Sequence, residues 1–286
     1  KTLTIPIIND AHAENTELFN VILRNPSGST VGEQGTSLVV ILDDDTFGFS
    51  GPNPIFTSQF FVRMQYLDFL SREPDADGYA AWLRVLNNCS DVNNNPLCDR
   101  ITVSSSFFRS QEFQLKGYFV YRFYKASLGR LPRYEEIIPD MRRVTGQTAD
   151  EVNLKRDAFT DAWVTRADFR ALYDGLSNAA YVDRLIQTAG VKSFDRGDLV
   201  AALDGGAKTR AQVLRLVVDS PEVYGKEYNG AFVAMQYFGY LRRDPDTGGY
   251  NNWLRVLDAN PVDYRTMVGG FINSLEYRLR YGDPNK

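Results

Sequence analysis

A single histidine, two cysteines and no long apolar run define this 286-residue sequence by what it is short of. His12 is the one side chain whose charge normally changes near neutral pH. With it placed in an acidic N-terminal turn, no base remains for a Ser-His-Asp arrangement elsewhere. Neither Cys89 nor Cys98 has a histidine beside it to activate a thiolate. No glycine-rich phosphate loop of either the dinucleotide or the P-loop kind occurs. Acidic neighbours such as Glu135 and Glu136 do not face one another on a helix. Two carboxylates that converge only in three dimensions, as in glycoside hydrolysis, leave no trace in sequence. The expectation is a protein that is not an enzyme. No segment has the roughly 20 apolar residues of a membrane span, and no signal peptide is present. The chain opens on Lys1-Thr2-Leu3-Thr4-Ile5, without an initiator Met and as if in mid-strand, so it reads as a processed piece of something longer.

The formal charge of −4 is too small and of the wrong sign for a nucleic-acid footprint. It is also unevenly placed. Residues 1–50 carry two basic and seven acidic side chains, a net of −5, so the remainder carries +1. The basic run Arg130, Arg133, Arg142 and Arg143 is interleaved with Glu135, Glu136 and Asp140 and reads as a solvated helix face. The two cysteines flank an Asn-rich stretch, nine positions apart. A two-thiolate metal site and a disulfide both fit that spacing. With no further Cys or His nearby, the disulfide is preferred, and it implies an oxidising, extracellular compartment.

What is present falls into two regions. Residues 1–45 alternate with the period of two that marks strands, giving expected strands at 3–8, 17–24 and 37–42, with a turn signal at Asn25-Pro26-Ser27-Gly28. Leu3, Ile5, Ile7, Phe19, Val21, Leu23, Leu38, Val40 and Leu42 are expected to form one apolar face. Leaving such a face wet would forfeit on the order of 10 kcal/mol, comparable with the stability of a whole domain. Residues 46–54 are rich in Gly and Pro and read as a linker.

The quoted run TIPIINDAHAENTELFNVILRNPSG, followed by LVVILDDD, resembles the C-terminal half of a Calx-beta domain. The resemblance implies a partial immunoglobulin-like sandwich with calcium at one end. Carried over by position, the ligands would be Asp10, Glu14, Glu17, Asp43, Asp44 and Asp45, a hard-oxygen set suited to Ca²⁺. Asn9 stands where that family usually has Asp, and the first half of the domain is not in the chain. A complete sandwich needs about seven strands. The open edges then predict pairing with a strand from another copy.

Residues 55–286 are expected to be a helical repeat domain. Residues 61–86 and 232–257 are identical at 16 of 26 positions. Weaker copies begin at Val120 and near Tyr181. A second signature follows each copy: Phe107–Phe113, Trp163–Phe169, Val217–Val223 and Phe271–Tyr277. The spacing predicts four units of about 55 residues, each a few helices, with the aromatics in the core. Glu73-x-Asp75-x-Asp77-Gly78 has the look of an EF-hand start. That loop's twelfth position needs Glu, and Arg84 stands there, so Asp75 is expected to cap a helix instead. The patterns QYLDFLSREPDADGYAAWL and FFRSQEF resemble the bacterial domain of unknown function numbered 4214, over about 55–281, and more faintly phycobilisome linker repeats. That resemblance implies a secreted or surface location, with no established activity.

The fold class expected is therefore mainly α, a helical repeat domain behind a short N-terminal antiparallel β segment. The function expected is a non-enzymatic extracellular structural or interaction protein that self-assembles through its β segment into a fibre or surface polymer. The alternative is a calcium-dependent adhesion or scaffold module of a larger secreted protein, which binds a cell-surface partner without polymerising. Nucleic acid is not an expected partner.

Overall fold

The computed structural model describes residues 4, 17–24, 26–28, 30, 35–41, 52–146, 148–260 and 263–283. They form a mainly helical protein with one β-hairpin. Strands β1 (Glu17–Ile22) and β2 (Thr36–Ile41) pair antiparallel. The strand expected at 3–8 lies outside the described residues.

The hairpin register corrects the sequence reading of its faces. Phe19 pairs with Val39, and Asn20 with Leu38. Phe19, Val21, Val39 and Ile41 therefore share one face. Leu38 and Val40 stand at the register positions of Asn20 and Leu18, one step out of register with that set. Alternation within a strand says nothing about which residue it meets across the ladder, and a slip of one residue exchanges the faces.

The helices run in four units, each a long helix, a second helix and a third. The first unit has α1 (Ser58–Gln65), continued by a π-helical turn at Tyr66–Leu70, then α2 (Ala76–Asn87) and α3 (Arg100–Arg109). The second has α4 (Gln111–Phe113) and α5 (Phe119–Phe123), joined and followed by π turns at Gln114–Tyr118 and Tyr124–Leu128, then α6 (Tyr134–Arg143) and α7 (Ala149–Trp163). In the third the long helix is broken into α8 (Ala167–Tyr173) and α9 (Asn178–Ala189), ahead of α10 (Arg196–Asp204) and α11 (Arg210–Val218). The fourth has α12 (Pro221–Gln236) with its π turn at Tyr237–Leu241, then α13 (Thr247–Ala259) and α14 (Tyr264–Ile272), and α15 (Leu275–Leu279) follows where a next unit would start.

One aromatic-rich core runs through all four, with Phe61, Phe69, Tyr121, Tyr124, Trp163, Tyr181, Tyr240 and Tyr277 fully buried. Among the described residues none before Ile55 belongs to that core. The hairpin instead meets the helices through Arg24, which donates to Glu135 at 2.5 Å and lies 3.8 Å from Asp244.

The second signature has a structural explanation. It is a helix start that carries a lock. Ser110, Ser220 and Ser274 each cap a helix by accepting the backbone N–H three residues on, and Phe113, Val223 and Tyr277 at that position are fully buried. The acid between them reaches back to the loop that ends the long helix of the unit before. Glu112 takes both nitrogens of Arg72 at 2.8 Å. Glu276 takes Arg243 at 2.7 and 3.2 Å, and Asp168 takes Arg130 at 3.2 Å. The third loop has Val191 where the others have arginine, and Glu222 accepts the backbone N–H groups of Lys192 and Ser193 instead. A carboxylate in the first turn of a helix also complements its dipole.

Candidate functional site

The first and fourth units meet about a local two-fold axis. α3 packs against its equivalent α14, and the π turn at Tyr66–Leu70 against that at Tyr237–Leu241. Phe69 and Tyr240, equivalent residues, touch edge to face with ring centres 5.2 Å apart. Contact between equivalent residues on paired equivalent elements is the pattern that an approximate local two-fold produces.

The axis is occupied by a polar cluster. Asp68, almost wholly buried, accepts Arg280 Nη2 at 2.8 Å and Nη1 at 3.3 Å. Arg242 Nη2 and the Tyr281 hydroxyl complete its four acceptor positions, each at 3.4 Å. Arg280 also donates to the carbonyls of Gly239 and Tyr240, at 2.9 and 2.7 Å, inside the fourth unit's π turn. Burial pushes the Tyr240 and Tyr277 hydroxyls well above the usual phenol range, so both stay neutral. A charge this deep is tolerated because it is paired and fully hydrogen-bonded.

Above the cluster lies a cleft of about 270 Å³, lined by Leu67, Asp68, Ser71, Tyr134, Ile138, Arg142, Phe238 and Arg242. Leu67 and Phe238 are equivalent residues, as are Ser71 and Arg242, so the two-fold builds two walls. The third is one face of α6, at the four-residue spacing Tyr134, Ile138, Arg142. Ser71 and Arg242 adopt φ of +54° and +50°. The corresponding helix ends in the second and third units use Gly129 and Gly190, the residue that reaches this conformation without strain.

The sequence-predicted residues fall as follows. Asp10, Glu14, Asp43, Asp44 and Asp45 lie outside the described residues, as does His12. Glu17 opens β1. Cys89 and Cys98 form a disulfide, Cα atoms 5.5 Å apart, that closes the loop between α2 and α3. Asp75 caps α2, accepting Gly78 N–H at 2.8 Å and lying 3.3 Å from Arg72. Asp246 does the same for α13 through Gly249 N–H at 2.7 Å. The motif with an EF-hand look is thus a helix cap that already holds a cation of its own. Of the arginine run read as a solvated face, Arg130 and Arg133 both bind Glu136. Arg143 lies 3.7 Å from Asp140, and Arg142 lines the cleft. The cleft was missed because its walls come from residues about 70 and 170 positions apart. One signal pointed there: a non-glycine residue at the two helix ends where the other copies have glycine.

A family model described as a domain of unknown function (DUF4214) matches residues 222–281, which hold nearly all of the fourth unit. Residues 1–45 lie outside that match. A 59-residue stretch is 30% identical to the EKC/KEOPS complex subunit BUD32 of Debaryomyces hansenii, covering 21% of this chain and 23% of that protein. The chain thus spans under a quarter of that relative's length. No solved structure matches. Among the described residues, no helix is long and apolar enough to cross a membrane.

Proposed function

We propose that this chain is a non-enzymatic extracellular interaction protein, with the helical units as a rigid body and the N-terminal β segment as the part that joins copies into a fibre or surface polymer. The observation that carries this reading is the hairpin. It has two strands among the described residues, and a two-stranded hairpin is marginal in water by itself. Phe19, Val21, Val39 and Ile41 on one face are only half-buried, and none belongs to the helical core. A strand from a second copy would cover that face and satisfy an open edge. The Cys89–Cys98 disulfide supports an oxidising location. The resemblance of residues 1–45 to a Calx-beta half supports calcium at Asp10, Glu14, Glu17, Asp43, Asp44 and Asp45 as a regulator of that joining.

Light scattering after size exclusion, across a hundredfold range of concentration, tests the reading. The expected result is mass that grows with concentration for the native chain and stays at 32.4 kDa for Val21→Asp/Val39→Asp. A native chain that remains a monomer throughout, and forms no filaments by negative-stain microscopy with or without chelator, overturns it.

A further inference from the structure

The cleft on the local two-fold offers hydrogen-bond donors with almost nothing to accept them. Arg142 has no carboxylate partner among the described residues, though Arg133 at the cap of its helix and Arg143 beside it are both ion-paired. Arg242 is half exposed and, among the described residues, its one ion pair is the 3.4 Å contact to Asp68. Ser71 and Tyr134, each bearing a hydroxyl, also line the cleft. The one carboxylate there is Asp68. All four of its acceptor positions are filled from within the protein, and its single charge is shared between Arg280 and Arg242. Arg142, Arg242 and Arg280 set against this one carboxylate therefore leave the cleft net positive.

Strain points to the same place. Arg242 and Ser71 hold left-handed backbone that costs about 1–2 kcal/mol per non-glycine residue. The second and third units avoid that cost with glycine. Only the two units that wall the cleft keep a side chain at this position, and both side chains line it.

We propose that this cleft is a binding site for a small anion bearing a carboxylate or phosphate group, held between Arg142 and Arg242 with Ser71 and Tyr134 as further donors. Guanidinium groups match such oxygens in charge and geometry. A volume of about 270 Å³ admits a compact ligand and not a polymer chain. Leu67, Ile138 and Phe238 supply the apolar wall against which the body of the ligand lies.

Calorimetric titration of the full chain with sodium phosphate, and separately with malonate, at constant ionic strength in chloride, tests the site. The expected result is one saturable site for at least one of the two anions, weakened tenfold or more in Arg142→Gln and in Arg242→Gly. Tighter binding of phosphate assigns a phosphoryl ligand, and tighter binding of malonate a carboxylate. Arg143→Gln should bind as the native chain does. Arg242→Gly also removes backbone strain, so loss of binding there with a melting temperature unchanged or raised separates the site from the fold. No saturable binding of either anion overturns the proposal. So does binding that survives both Arg142→Gln and Arg242→Gly. Neither result bears on whether the hairpin joins copies.

Discussion

The first and fourth units are identical at 16 of 26 positions over their first two helices, and yet at the deepest point of their contact only one half of each equivalent pair is satisfied. Tyr240 donates its hydroxyl to Gln65 at 3.1 Å and also meets the Ser104 hydroxyl. The two-fold mate of Gln65 is Gln236, and the mate of Tyr240 is Phe69, which has no hydroxyl. Gln236 Oε1 is buried without a hydrogen-bond partner. Likewise Asp68 anchors the axis from the first unit, while its equivalent is Gly239, packed so closely on Phe69 that a Cβ would lie 3.0 Å from the ring. A repeat meeting itself on an axis has room for one charge at the centre. Two copies of Asp68 there would repel with far less dielectric screening than water provides. The internal pair is therefore asymmetric where it is deepest and symmetric at its periphery, in the caps, locks and helix ends.

The asymmetry is open to direct attack. Asp68→Asn leaves the buried Arg280 without its counter-charge and should cost about 3–5 kcal/mol. Denaturant unfolding would read this as a lower midpoint at unchanged slope. A loss below about 1 kcal/mol would show that the centre of the axis is not where the pair is held together. Next in size is the disulfide. It belongs to the first unit, whose connection from α2 to α3 is longer than that from α13 to α14. Cys89→Ser/Cys98→Ser releases a short closed loop and should lower stability by about 2–3 kcal/mol on the loop-entropy model. Reduction of the native protein should match it by calorimetry.

The symmetric features should respond in pairs. A Cβ at Gly78 would overlap the Tyr66 hydroxyl, and one at Gly249 the Tyr237 hydroxyl. Gly78→Ala and Gly249→Ala should each cost about 1–3 kcal/mol, and unequal losses would show that the two copies are packed differently. Ser71→Gly relieves left-handed strain and should gain about 1 kcal/mol in melting experiments. Glycine already occupies that position in the second and third units. The smallest effect is expected from Phe69→Tyr. A hydroxyl reaching Gln236 would restore the missing half of the two-fold and add up to about 1 kcal/mol. Destabilisation would mean that no symmetric pocket exists for it.

The second unit shows how the same task is met by other residues. Asp75 and Asp246 cap their helices directly, but the matching position holds Arg133. There the cap is Glu136, which reaches back to the Arg133 N–H at 2.9 Å. Burial works against its charge, but Arg130 and Arg133 outweigh that and hold its carboxyl down at about 2. The folded state therefore keeps this contribution at neutral pH and loses it as pH falls from the ordinary carboxylate range towards about 2.

Much of the molecule was legible before any coordinates. The repeat period with its second signature, the helix start at Asp75, the aromatic core and the Cys89–Cys98 pairing all follow from local patterns, because caps, periodicity and short loops are decided by residues a few positions apart. The register of the hairpin, the Arg72–Glu112 and Arg243–Glu276 locks, the pairing of Asp68 with Arg280 and the cleft between Arg142 and Arg242 were decided only by the tertiary structure. Each joins residues that are distant in the chain, and nothing in a single sequence states which of 32 basic residues meets which of 36 acids. Burial of the aromatic face brought the first and fourth units together, and it was that contact, not any motif, that placed two arginines around one cleft.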